Sequence, residues 1–270
     1  MSTVLESIVE GVREDLAERK RGKTVSQLHD EIGALAPTRD ALATLRANPF
    51  SVIAEVKRSS PSKGHLADIV EPDRLAAQYE QGGAAVISVL TERRRFNGTL
   101  KDLDQVRKAV DTAILRKDFM IDEYQFFEAR AHGADVVLLI VASLSNGQLQ
   151  EFSELSRELG LTTLVEVHDE DELERALMMN APVIGVNARN LKTLDVDLAT
   201  CHRLFPMIPQ NVVGIAESGI TNVKEVEQLA HSGARAILVG EALVKTGAPA
   251  ETVQEWTEAG SQARKEASGS

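Results

Sequence analysis

The chain carries one cysteine, Cys201, in 270 residues, so no internal disulfide can form and folding needs no oxidising compartment. It is also short of positive charge. Thirty Lys and Arg stand against 41 Asp and Glu, a net charge of −11, and a nucleic-acid binder with its basic face is not expected. No apolar run approaches the ~20 residues of a membrane helix. The opening, MSTVLESIVEGVREDLAERK, lacks the basic and apolar regions of a secretory signal. Neither GxGxxG nor the GxxxxGK phosphate loop occurs. The six histidines show no HExxH-type spacing, so no metal site is expected. The expectation is a cytoplasmic globular protein, and 43% hydrophobic residues are ample for its core.

What is present is a rhythm. Short apolar, β-branched runs recur: FSVIAEVK from Phe50, AAVISVL from Ala84, AILRKDF from Ala113 and ADVVLLIVA from Ala134. TTLVEVH from Thr162, PVIGVNARN from Pro182, VVGIAES from Val212 and ARAILVG from Ala234 follow. Continuous rather than alternating runs suit strands buried on both faces of a parallel sheet. Helical segments such as EPDRLAAQYEQGGA and NVKEVEQLAHSGA lie between them, the second with Asn222 as N-cap. Eight strand–helix units predict a (β/α)8 TIM barrel over 49–258, because each parallel neighbour needs a helical crossover. A doubly wound open sheet is the rival, weakened by the missing nucleotide turn. Residues 1–48 predict a helical extension, either a solvated cap or a lid over one mouth, and 259–270 a flexible tail. The whole reads as a single structural domain.

Barrel enzymes place their chemistry at the C-terminal ends of strands. Read in that order, the ends carry Glu55 and Lys57, Arg116 and Lys117, Glu166 with His168 beyond, Asn187 and Arg189, Glu217 and Ser218, then Gly240 before Glu241. Glu55 and Lys57 are two apart and share one side of a strand. Two charges in an apolar run are costly unless paired or used, and a rim ion pair is the simpler alternative for any single one. Lys57, Arg58, Lys63, Lys117 and Arg189 gathered on the rim of an acidic protein would attract an anionic small molecule. Phosphate suits the loops after the seventh and eighth strands, where Gly219 and Gly240 let backbone N–H groups approach an anion. His168 reads as a loop or helix-start residue rather than a base, the run Arg93 to Arg95 as a solvated loop, and Cys201 as core.

IAEVKRSSPSKG, SVLTE, FNGT, LRKDF, LVEVH, IGVNARNL and AESGI, in this order and spacing, resemble the indole-3-glycerol phosphate synthase family from about Leu5 to Val253. The resemblance implies a cofactor-free ring closure, decarboxylation and dehydration of a phosphorylated anthranilate derivative in tryptophan biosynthesis. It implies Lys117 as general acid, Glu166 as its carboxylate partner, Lys57 near the substrate carboxylate and Glu55 as base or orienting group. It implies Asn187, Arg189 and Glu217 holding the carboxylate and hydroxyls. Ser60, Ser218, Gly219, Gly240 and Glu241 would form the phosphate shell, Glu241 through its backbone only, and Phe96 and Phe119 would flank the aromatic ring. A small-molecule substrate is the only partner implied, with no nucleic acid and no membrane, and a monomer is compatible with it. Two alternatives stand beside it: a phosphoribosylanthranilate-type isomerase, and a non-catalytic barrel that binds phosphate ligands.

Overall fold

The computed structural model describes residues 3–269; Met1, Ser2 and Ser270, at the ends of the expected extension and tail, lie outside the described residues. All eight apolar runs are strands: β1 (Ser51–Val56), β2 (Val86–Leu90), β3 (Ala113–Lys117), β4 (Val136–Ile140), β5 (Thr162–Val167), β6 (Val183–Asn187), β7 (Val213–Glu217) and β8 (Ala236–Val239). They pair in parallel and close on themselves, since β1 bonds both β2 (Ile53 opposite Val86) and β8 (Ala54 opposite Val239). Outward side chains such as Val52, Ile87, Leu139 and Ile237 pack under the surrounding helices. Inward ones such as Ile53, Leu115, Leu138, Leu164 and Ile215 fill the barrel. The strands are buried along almost their whole length, which is why their sequences do not alternate.

The extension serves both ends of the barrel. Helix α1 (Val4–Gly22), opened by a Thr3–Glu6 capping box, buries Ile8, Val9, Val12 and Leu16. It lies over the C-terminal mouth, where Arg94 of the loop after β2 binds Glu14 (2.6 Å) and Asp15 (2.7 Å). Helix α2 (Val25–Gly33) packs on α6 (Tyr124–Ala131), with Leu28 against Tyr124. Helix α3 (Ala41–Ala47) sits at the opposite end: Ala41 and Leu45 join the barrel interior, and Arg39 N–H donates to Asp135 at 2.7 Å, just before β4. The extension therefore runs from mouth to base, where the sequence offered a solvated cap or a lid over one end.

One further segment departs from expectation, and one loop is braced. Residues 259–268, expected as a flexible tail, are the last turns of a helix, Pro249–Ser268. Val253, Trp256, Gly260 and Ala263 recur at helical spacing, and Gly260 lies so close to the Phe50 ring that a methyl group there would meet it at 2.2 Å. The loop after β1 is tied at its base by Arg58. Its guanidinium holds Asp102 of α5 (Leu100–Ala109) bidentately at 2.7 and 2.8 Å and donates to the Ile69 carbonyl at 2.8 Å. Between those ties, Ser59–Ser60 and Gly64–His65 form a short antiparallel ribbon.

Candidate active site

The inward phase of β3, β5 and β7 ends on three charged side chains at one level. Lys117 Nζ sits 2.8 Å from Glu166 Oε2 and 2.8 Å from Glu217 Oε2. Asn187, opposite Glu217 in the β6–β7 register, donates to Glu166 Oε1 at 3.1 Å. Glu55 closes the ring from β1, with its carboxylate ion-paired to Lys57. Glu55, Glu166 and Glu217 are buried, and one Glu217 oxygen has no hydrogen-bond partner.

The electrostatics follow from that packing. Burial works against the charge on Lys117, but Glu166, Glu217 and Glu55 outweigh it and hold the ammonium above the ordinary lysine pKa. Glu166 is held well below the usual carboxylate range: burial raises it, while Lys117 and His168 lower it further. Glu217 moves the other way, because burial and the neighbouring Glu166 charge prevail over Lys117. Two carboxylates on one ammonium thus differ in their hold on a proton, which is the arrangement proton-transfer chemistry needs.

Around this centre stand the other expected residues. Arg189 N–H donates to Asn187 Oδ1 at 3.0 Å, and its guanidinium reaches the Leu194 carbonyl at 2.9 Å, closing the loop after β6. Ser218 and Gly219 take consecutive left-handed conformations, φ 67° and 80°, which turn the chain sharply after β7. Gly240 ends β8 against the Glu55 backbone, where a Cβ would meet the Glu55 carbonyl at 2.8 Å. The Glu241 carboxylate is drawn aside by Lys63 (2.9 Å) and Lys245 (2.7 Å). Ser60 lies in the ribbon after β1, its hydroxyl 3.5 Å from that of Ser62. Phe96 and Phe119 make a tilted aromatic pair, centroids 6.1 Å apart.

Two rim cations do not join the site. Arg116 faces outward, as the neighbour of inward Lys117 must, and is buried between Asp118 and Glu128 at 2.9 Å each. Arg58 is spent on Asp102, as above. In the Arg93 to Arg95 run, Arg94 binds α1, and Arg95 donates to Ser7 of the same helix at 3.1 Å. Glu92, which sequence reasoning passed over, is buried and accepts the backbone N–H groups of Arg94, Arg95 and Phe96 at 2.7–2.9 Å. It shapes the loop that presents Phe96; a glutamate two residues past a buried strand was the available signal. His168 was passed over as a base, and it packs against Glu166.

Barrel and mouth together define an acid–base enzyme of the (β/α)8 class. The family model for indole-3-glycerol phosphate synthase matches residues 5–256, and the chain belongs to that family. Among its relatives, the indole-3-glycerol phosphate synthase of Arthrobacter sp. (strain FB24) is 54% identical over 97% of this chain and 98% of its own length. Indole-3-glycerol phosphate synthase 1 of Streptomyces coelicolor is 54% identical over 96% of each chain, and the synthase of Mycolicibacterium smegmatis 51% over 96% and 95%. Known structures agree on the fold alone. Thiamine phosphate pyrophosphorylase from Pyrococcus furiosus superposes with TM-score 0.60 at 16% identity, covering 81% of this chain and 98% of its own. N-acetylmannosamine-6-phosphate 2-epimerase from Clostridium perfringens gives 0.58 at 14%, covering 77% and 93%. Among the described residues no helix is long and apolar enough to cross a membrane.

Proposed function

We propose that this mouth converts 1-(2-carboxyphenylamino)-1-deoxyribulose 5-phosphate to indole-3-glycerol phosphate, carbon dioxide and water, with Lys117 as the general acid of ring closure. The observation that carries the reading is the Lys117 ammonium held between Glu166 and Glu217 at 2.8 Å from each. The ring carbon bearing the carboxylate attacks the ribulose carbonyl, and the carbonyl oxygen takes the Lys117 proton as it becomes a hydroxyl. Loss of carbon dioxide returns its bonding electrons to the ring. The hydroxyl then leaves as water with one added proton, and the adjacent carbon gives up a proton to complete the indole.

Lys57, paired with Glu55 at the start of the mouth, is assigned to the substrate carboxylate and to the dehydration step. Glu55 orients Lys57 and can accept a proton. Glu166, ionised beside Lys117, stabilises the cationic intermediate and assists proton transfer. Asn187, Arg189 and Glu217 hold the carboxylate and hydroxyls. The phosphate falls to Ser60, the turn Ser218–Gly219, and the backbone of Gly240 and Glu241; the Glu241 carboxylate, tied to Lys63 and Lys245, is kept off the anion. Phe96 and Phe119 flank the anthranilate ring. Extension and barrel act as one structural unit in the cytoplasm.

An isomerase on the same scaffold would need an acid–base pair but would release no carbon dioxide. The test is direct: incubate purified protein with the carboxyphenylamino-deoxyribulose phosphate and follow indole fluorescence. Folded protein that gives no indole signal would refute the assignment.

A further inference from the structure

His168, the first residue past β5, carries a carboxylate on each ring nitrogen. Glu172 Oε2 lies 2.8 Å from Nδ1 and Glu166 Oε1 3.3 Å from Nε2. Glu172 belongs to α8 (Glu170–Met178) and also accepts the His168 backbone N–H at 2.9 Å. That second bond fixes the ring: a proton on Nδ1 points at Glu172, and Nε2 faces Glu166. A neutral ring would then set a nitrogen lone pair against a carboxylate oxygen. Nε2 makes no hydrogen bond in this geometry, so an imidazolium would give Glu166 its charge at 3.3 Å and give Glu172 a hydrogen bond at 2.8 Å.

The contrast between Glu166 and Glu217 shows where this ring acts. Both lie 2.8 Å from the same Lys117 ammonium, and both are buried. Glu166 has His168 beside it as well as the Asn187 amide, and it is the one held toward the ionised form, its charge in turn raising Glu217. We propose that His168 is a positioning residue, an imidazolium braced by Glu172 that keeps the Glu166 carboxylate ionised and aimed at Lys117.

Burial disfavours the charge on His168, but the neighbouring Glu166 and Glu172 carboxylates outweigh it and push the pKa up to about 10. The charged groups facing the pair are Lys117 from β3, Glu217 from β7, Glu55 from β1 and Glu172 from α8. Asn187 of β6 adds a neutral donor at 3.1 Å. The turn Val141–Ser143 after β4, packed on β5 and α8, brings no titratable group. Arg175 of α8 is directed at the carbonyls of Val141 and Leu144 in and after that turn. The inference rests on the proposed reading of Glu166 as the carboxylate partner in turnover.

The experiment is the pH profile of kcat and KM for His168→Gln and Glu172→Gln, with Glu166→Gln as control. Glutamine retains an amide donor but no charge, so the acid limb of kcat should move up by about one to three pH units in His168→Gln. Glu172→Gln should move it in the same direction, and KM should stay put in both. Nuclear magnetic resonance of the wild-type ring, which needs no variant to fold, should show an imidazolium at neutral pH. An unmoved acid limb in His168→Gln, with only a lower Tm and with Glu166→Gln inactive, would overturn the proposal, as would a neutral ring in the wild type. A Glu166→Gln enzyme with normal kcat would instead overturn the Glu166 reading itself and this inference with it.

Discussion

Gly185 of β6 makes room for Glu217 of β7. A Cβ at position 185 would stand 2.0 Å from Glu217 Oε1, so the carboxylate occupies the space that any side chain there would fill. Leu164 of β5 closes the other side of the gap, its Cδ1 3.1 Å from the same Cβ position. Gly185→Ala should therefore push Glu217 away from Lys117. Overpacking of this kind costs about 1–3 kcal/mol; the expected result is a lower Tm together with a lower kcat. A variant with normal kcat and normal Tm would show that the site tolerates the methyl group.

Lys117→Ala should lower kcat by roughly 10²- to 10⁴-fold, the usual worth of general acid catalysis, with a much smaller effect on substrate affinity. Lys117→Arg should not restore it, because guanidinium holds its proton too tightly and has a different shape. Arg189→Ala should act mainly on KM, since grip on the substrate carboxylate is felt before chemistry begins. Near-normal kcat in Lys117→Ala would move the acid to Lys57.

Removal of residues 1–22 takes α1 from the mouth and leaves α3 at the base. KM for substrate should rise while the barrel stays folded, because the lid is gone but the plug remains. Removal of residues 1–47 should add a marked loss of Tm, as Ala41 and Leu45 leave the interior. Unchanged KM in the shorter truncation would reduce α1 to a cover with no part in binding.

The His168 shift has a sign in stability as well. The folded-state pKa, about 10, lies above the ordinary histidine value of about 6.5. Its stabilising contribution is therefore complete below about pH 6.5 and is lost as pH rises through about 10. The Tm difference between wild type and His168→Gln should be largest in mildly acidic buffer and shrink toward pH 10. A difference that grows with pH would contradict the charged ring.

All eight strands were legible because burial on both faces leaves a continuous β-branched run, a signal that does not depend on what surrounds it. The charged strand ends were legible for the same reason: Glu55, Lys117, Glu166 and Glu217 interrupt apolar runs where nothing apolar is gained by it. Arg116 beside Lys117 was ambiguous, since its use depends on Asp118 and on Glu128 from the next helix, a partner chosen in three dimensions. The last helix was misread from the polar composition of its end, although Val253, Trp256, Gly260 and Ala263 mark a stripe. The brace on His168 was present as a four-residue spacing to Glu172. It gains meaning only once β5 delivers Glu166 to the other side of the ring.

Arg58, by gripping α5 and the Ile69 carbonyl at once, fastens both ends of the segment between residues 58 and 69 to the barrel rim. Its tip has a second fastening, where Lys63 reaches Glu241. A change at residue 58 would therefore loosen the loop at its root, whereas a change at residue 63 would free only its tip.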